Sequence, residues 1–194
     1  MDIYSQIQKL EELKSYIATE LPVFAEQVLA NDLTTLVAKR VIETGVNHLG
    51  APFKGYSTNP IPAYKFWGKS RTQAAEKKVR ALARQAAKDK AKAKASSALS
   101  YKEFREINNL KTDKKNFEFT GTMWQEFNIV STSRTETSFR VSMGGTTTDA
   151  ANKIESHSER EGVSIIEANE AERALAQKAT SVWLDEAAER ILNG

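Results

Sequence analysis

The sequence predicts an α+β fold: long N-terminal helices and a C-terminal helix packed on a small antiparallel sheet, with a basic helical insertion. Three observations predict it. Apolar residues recur at helical spacing near both ends of the chain. Between Phe117 and Met143 the pattern switches to period two, the mark of strands. Between the first helices and that hairpin, Lys69 to Lys94 is almost entirely alanine, lysine, arginine and glutamine, a composition of high helix propensity. The 194 residues suit a single domain, 1–194. Within it we expect helices over 1–45, a loop or arm over 46–68, the basic insertion over 69–98, and the hairpin with its closing helices over 99–194.

The first stripe is Ile3, Ile7, Leu10, Leu13 and Ile17. Pro22 should interrupt it, because the residue before a proline is pushed away from helical angles. Thr19 is then a cap for a second helix, with Pro22 in its first turn. That helix carries Val23, Phe24, Val28, Leu29, Leu33, Leu36, Val37, Val41 and Ile42, and Gly45 ends it. Residues 45–64 hold three glycines and three of the four prolines, which predicts an irregular loop or extended arm. Tyr56, Tyr64, Phe66 and Trp67 lie in or beside it. Anchoring of the loop is the favoured use for these rings; a protein interface is the alternative.

The basic segment has ten bases against two acids, a net +8. Its apolar face is alanine with Val79 and Leu82, so it reads as a solvated arm or as a helix that packs on a partner. Lys77, Lys78, Arg80, Arg84, Lys88, Lys90, Lys92 and Lys94 are candidates to face DNA or a channel. No interleaved aromatics, helix-turn-helix or zinc pattern accompanies them, so such contact would be non-specific and driven by counterion release.

Ser100 followed by Glu103 predicts a capping box and a short helix with Tyr101, Phe104 and Ile107 on one face. Phe117 and Phe119 then alternate with Glu118, Gly121 permits a turn, and Trp124, Phe127, Ile129 and Val130 form an extended apolar edge. After a turn over 131–136, Thr137 to Met143 alternates with Phe139, Val141 and Met143 on one side, and Gly144–Gly145 ends the strand. Asp149 to His157 reads as a helix stopped at Gly162. A last helix starts at Ala168 or Asn169 and carries Leu175, Val182, Trp183 and Ile191.

Net charge is +3, yet residues 149–194 carry ten acids against five bases. A basic middle and an acidic end favour polyanions, or head-to-tail pairing of copies. The absence of cysteine excludes disulfides, thiolate metal sites and thiol nucleophiles. The first residues lack a signal-peptide pattern and no apolar run approaches bilayer length, so we expect a soluble protein that acts where it is made. No phosphate loop, nucleophile elbow, zinc-protease or dinucleotide motif is present. His48 and His157 are far apart, and the glutamates at 155, 159, 161 and 167 read as a solvated acidic face. We therefore expect no enzyme, no cofactor and no metal.

Three pieces resemble the tail-completion, or virion-morphogenesis, family of tailed phages. They are RVIETGVNHLGAPFKGYS (Arg40 to Ser57), FTGTMWQEFNIV (Phe119 to Val130) and NKIESHSEREGVSIIEANEAERALAQ (Asn152 to Gln177). In that family a helix likewise ends in a glycine-containing loop with an aromatic residue. Thr120-Gly121 resembles its turn into a hairpin, and the third piece its closing helices. The matched pieces span about half of the chain, and the basic stretch departs from the pattern. The resemblance implies a ring-forming subunit at the neck or head–tail connector of a virion. It implies an α+β fold without catalytic residues. We accordingly expect a structural virion protein made in the host cytoplasm, whose partners are its own copies, adjacent neck, portal or tail proteins and packaged DNA, with no membrane. Candidate subunit-interface residues are Phe119, Trp124, Phe127, Phe139 and Trp67. The alternative is a non-specific nucleic-acid binder acting through the basic helix. A hydrolase is the weakest reading.

Overall fold

The computed structural model describes residues 2–88, 98–117, 121–134 and 139–193, without the side chains of 85–88, 134 and 139. Its helices are α1 (Ile3–Phe24), α2 (Ala30–Thr44), α3 (Gln73–Lys88), α4 (Tyr101–Ile107), α5 (Thr122–Gln125), α6 (Thr148–Glu161) and α7 (Glu170–Asn193). The strands are β1 (Ile61–Pro62), β2 (Ala98–Leu99), β3 (Phe127–Arg134) and β4 (Phe139–Gly145). Two antiparallel ribbons result, β1 with β2 and β3 with β4. The α+β expectation holds. Contacts group into two compact units: residues 1–41, 46–51 and 122–194, and residues 42–45 and 52–121.

In the first unit Pro22 does not break the helix. The chain stays helical from Ile3 to Thr44, and Pro22 lies inside α1. Proline removes one backbone donor and crowds the preceding turn. Directly downstream the run widens into a π turn, Ala25–Leu29, in which Ala30 N–H reaches back to Ala25 O. One extra residue per turn gives the crowded backbone room. Thr19 caps nothing; its hydroxyl donates to Ser15 O at 3.1 Å. The cap of α1 is Asp2, which accepts from Ser5 N–H.

Helix α7 runs antiparallel along α1. Trp183 stacks on Tyr16 and Phe24, with ring centroids 6.0 and 5.2 Å away, and Lys9 Nζ donates to Leu192 O at 3.1 Å. The closing helix thus lies on α1 rather than on the sheet, and it is α6 that packs against β4. Asn169 starts α7 through a reciprocal cap: its side chain accepts from Glu172 N–H while Glu172 accepts from Asn169 N–H, both at 2.8 Å. Helix α6 begins earlier than expected, capped by Thr147, and ends at Gly162 in the left-handed conformation with φ 74°.

The hairpin starts about ten residues later than the period-two pattern suggests. Phe117 is not in a strand; it sits buried in the second unit at a positive φ of 54°. Residues 118–120, including Phe119 and Thr120, lie outside the described residues. Thr122–Gln125 is a helical turn, so Trp124 is not on a strand edge either. Strand β3 continues through Ser131–Arg134, where a turn was expected, with a bulge at Val130. Short apolar runs are ambiguous by period alone, and tertiary packing decided this one. Gly145 belongs to β4. A Cβ there would lie 2.4 Å from Ala151 N, so only glycine lets the strand end meet the first turn of α6.

The second unit is built on aromatic stacking. Phe66 and Phe104 stack at 4.4 Å, and Ala63, Val79, Ala83 and Leu99 complete the buried cluster. Helix α3 is therefore not a solvated arm: Val79 is fully buried and Ala75 is 2% exposed. Alanine is what permits this, since a face without long side chains lets α3 lie close to the aromatic rings. Phe53, Tyr56 and Phe66 anchor the proline-rich loop, while Tyr64 and Trp67 stay exposed. The capping box of Ser100 and Glu103 forms as expected.

Candidate functional site

Among the described residues, the basic face of α3 and the apolar faces of the α1–α2–α7 layer are surfaces open to partners. On α3, Lys77, Lys78, Arg80 and Arg84 are all exposed. At 100° per residue, Lys77, Arg80 and Arg84 fall within about 60° of arc on the exposed side, and Lys78 stands about 100° or more from each of them. Lys88 belongs to the helix, its side chain undescribed, and Lys90, Lys92 and Lys94 lie outside the described residues. The face is partly neutralised. Arg80 Nε donates to Glu76 Oε1 at 2.8 Å, and Gly68 N–H donates to the same oxygen at 3.0 Å. The guanidinium first, and then that N–H, hold the Glu76 carboxyl down at about 2. An open depression of about 480 Å³ lies beside them, lined by Arg71, Thr72, Glu76, Lys77 and Arg80 among others. It presents cations and backbone to solvent, and its lining carboxylate, Glu76, is held by Arg80 and Gly68.

On the first unit, α1 has no buried residue. Ile3, Ile7 and Leu10 are 73%, 49% and 56% exposed. A groove of about 380 Å³ runs between α2 with its π turn and α7, lined by Leu29, Asp32, Leu33, Leu36, Leu175, Ala176 and Ala179 among others. Its upper end is held by a buried ion pair. Arg40 Nε donates to Glu172 Oε1 at 2.8 Å, and the same guanidinium donates to Val46 O and Glu167 O, each at 2.7 Å. Both side chains are under a tenth exposed, so the pair fixes the groove wall rather than meeting solvent.

A second buried arginine orders the other unit. Arg105 is 1% exposed and donates to Lys111 O and Asn116 Oδ1, with its guanidinium 4.1 Å from the Tyr56 ring centre. Burial pushes the Tyr56 hydroxyl above its usual value, against the opposing pull of Asn116 and Arg105. Neither arginine was singled out by sequence. Each sits beside an apolar residue of a helical stripe, Val41 and Phe104, and that adjacency is the available signal.

The expected interface residues divide. Trp124 and Phe127 are buried in the first unit, edge to face at 5.7 Å, so these rings serve the chain's own core. Trp67 is 51% exposed. Phe119 lies outside the described residues, and Phe139 starts β4 with its side chain undescribed. His48 lies 3.5 Å from Glu167, one histidine and one carboxylate. Among the described residues no group of three or more histidine, aspartate or glutamate side chains is placed to hold a metal ion. No described helix is long and apolar enough to cross a membrane. Compared with known proteins, the chain matches no family model, no curated protein and no solved structure.

Proposed function

We propose that this chain is a structural assembly subunit. The observation that carries the reading is α1, a helix of 22 residues with no buried residue and three large aliphatic side chains exposed at one end. Apolar faces of that kind mark surfaces that a partner covers. The resemblance of Arg40–Ser57, Phe119–Val130 and Asn152–Gln177 to the tailed-phage tail-completion family gives the reading its setting. The chain would then be a ring-forming neck or head–tail connector protein of the virion. Its partners are its own copies and adjacent neck, portal or tail proteins, and its role needs no catalytic residue. Negative-stain microscopy and analytical ultracentrifugation of the purified chain, alone and with those neighbours, test this. Closed rings are the expected result. A chain that stays monomeric with every neighbour overturns it.

One observation favours a second reading, non-specific binding of nucleic acid: Lys77, Arg80 and Arg84 share one exposed face of α3. Affinity for duplex DNA should then fall steeply with salt. A triple charge reversal at these positions that leaves DNA retention unchanged excludes it.

A further inference from the structure

We propose that the exposed end of α1 docks in the leucine groove of a second copy, and that the two copies do so reciprocally. The inference rests on the assembly reading and names its first contact.

Ile3, Ile7 and Leu10 follow the i, i+4, i+7 spacing with which a helix lays an apolar face into a groove. Lys14 continues the row, and at 100° per residue the four lie within about 60° of arc. Helix α7 does not cover this row: its partners on α1 are Lys9, Tyr16 and Phe24, on another side. The groove offers matching chemistry in Leu29, Leu33 and Leu36 at i, i+4, i+7, with Leu175, Ala176 and Ala179 opposite. A chain cannot fill its own groove. Leu10 and Leu29 belong to one continuous helical run, about 28 Å apart at 1.5 Å per residue. The occupant must come from another molecule, and this chain presents an unpartnered row of the fitting pattern.

The register selects the geometry. Laying the two runs antiparallel brings Ile3 to Leu36, Ile7 to Leu33 and Leu10 to Leu29. The same register carries Lys14 of one copy to Glu26 of the other. Both are exposed, and they are of opposite charge. Exchanging the two copies reproduces every contact, so one register fills both grooves with a two-fold axis near residue 20. The pair is then the unit that a ring repeats.

The chain has no cysteine, which makes crosslinking clean. The variant carrying Ile7→Cys and Leu33→Cys should oxidise to a covalent dimer and stop there, while Ile7→Cys with Leu49→Cys should not. Ile7→Asp should weaken self-association at least about tenfold by sedimentation, with helical circular dichroism unchanged, because Ile7 is exposed in the single chain. Lys14→Glu should weaken it, and Lys14→Glu with Glu26→Lys should restore it. A ladder of covalent trimers and tetramers overturns the reciprocal pairing. No crosslink, or full self-association of Ile7→Asp, overturns the docking itself. Rings that persist in Ile7→Asp would do so while leaving the assembly reading intact. A wild-type chain that pairs through this contact yet joins no larger structure overturns the assembly reading alone.

Discussion

Helix α1 carries large aliphatic side chains at ideal spacing and has no buried residue. Helix α3 carries mostly alanine and lysine, yet its Val79 is fully buried at the centre of the second unit. The difference teaches what amphipathic periodicity means. It states which side of a helix is apolar, not whether the same chain covers that side. Small residues on α3 allow close approach to Phe66 and Phe104, so a weak stripe becomes a core. On α1, Ile3, Ile7 and Leu10 lie on a side that α7 does not cover, so that part of a strong stripe stays open.

Substitutions in the two helices test that contrast. The largest effect belongs to α3. Val79→Asp places an unpaired carboxylate in the aromatic cluster and should cost at least about 4 kcal/mol, melting the second unit in thermal denaturation. A melt within 1 kcal/mol of wild type would show that α3 is not a core helix.

Next comes the ion pair at the groove's end. Arg40→Ala leaves Glu172 buried without its cation and should cost about 3–5 kcal/mol by chemical denaturation. Arg40→Met with Glu172→Leu should recover most of that loss, because an apolar pair of similar bulk leaves no uncompensated charge.

A smaller effect follows from the caps of the second unit. Ser100→Ala removes one orphan-donor partner of α4 and should cost about 1 kcal/mol. It should also change the acid limb of stability. Hydrogen bonds from Ser100 hold the Glu103 carboxyl below its ordinary 4.5, and Arg80 with Gly68 hold Glu76 down at about 2. Both folded-state values are depressed, so their contribution is complete above about pH 4.5. It is lost as pH falls through the folded values toward 2. The Ser100→Ala curve should show a shallower decline over that window than wild type. Identical acid slopes would remove the Ser100 hydroxyl from the account, since the Ser100 N–H, the larger cause, survives the substitution.

The smallest effect belongs to α1. Ile7→Ser should change the stability of the isolated chain by no more than about 0.5 kcal/mol, since Ile7 is half exposed and belongs to no buried cluster. A loss of 2 kcal/mol or more, measured at dilutions where the chain is monomeric, would place Ile7 in the chain's own core and erase the contrast.

Several local elements were legible because their chemistry is local. The Ser100–Glu103 box, the Asn169 start of α7 and the glycine stop at Gly162 each depend on neighbours within a few residues. The hairpin was legible in kind and misplaced in extent. Phe117 and Trp124 match a strand pattern locally, yet each is buried in its own unit in a different conformation. The proline was misread for a related reason. Pro22 removes only one backbone donor, and continued packing of α1 on α7 through Phe24 keeps the helix running past it. Of the basic candidates, four stand exposed on α3 as the composition suggested, but their opposite face proved to be core rather than solvent.

By itself the sequence determined the long helices, the presence of a hairpin, the caps at Ser100 and Asn169 and the separation of basic from acidic regions, since these follow from spacing and side-chain type. Only the tertiary structure decided that Ala75 and Ala83 of α3 bury while Ile3 and Ile7 of α1 do not. It also decided that Arg40 and Arg105 lie inside and that the leucines of α2 frame an open groove. The physical reason is that burial depends on what the rest of the chain brings within van der Waals reach, and spacing along one helix carries no record of that.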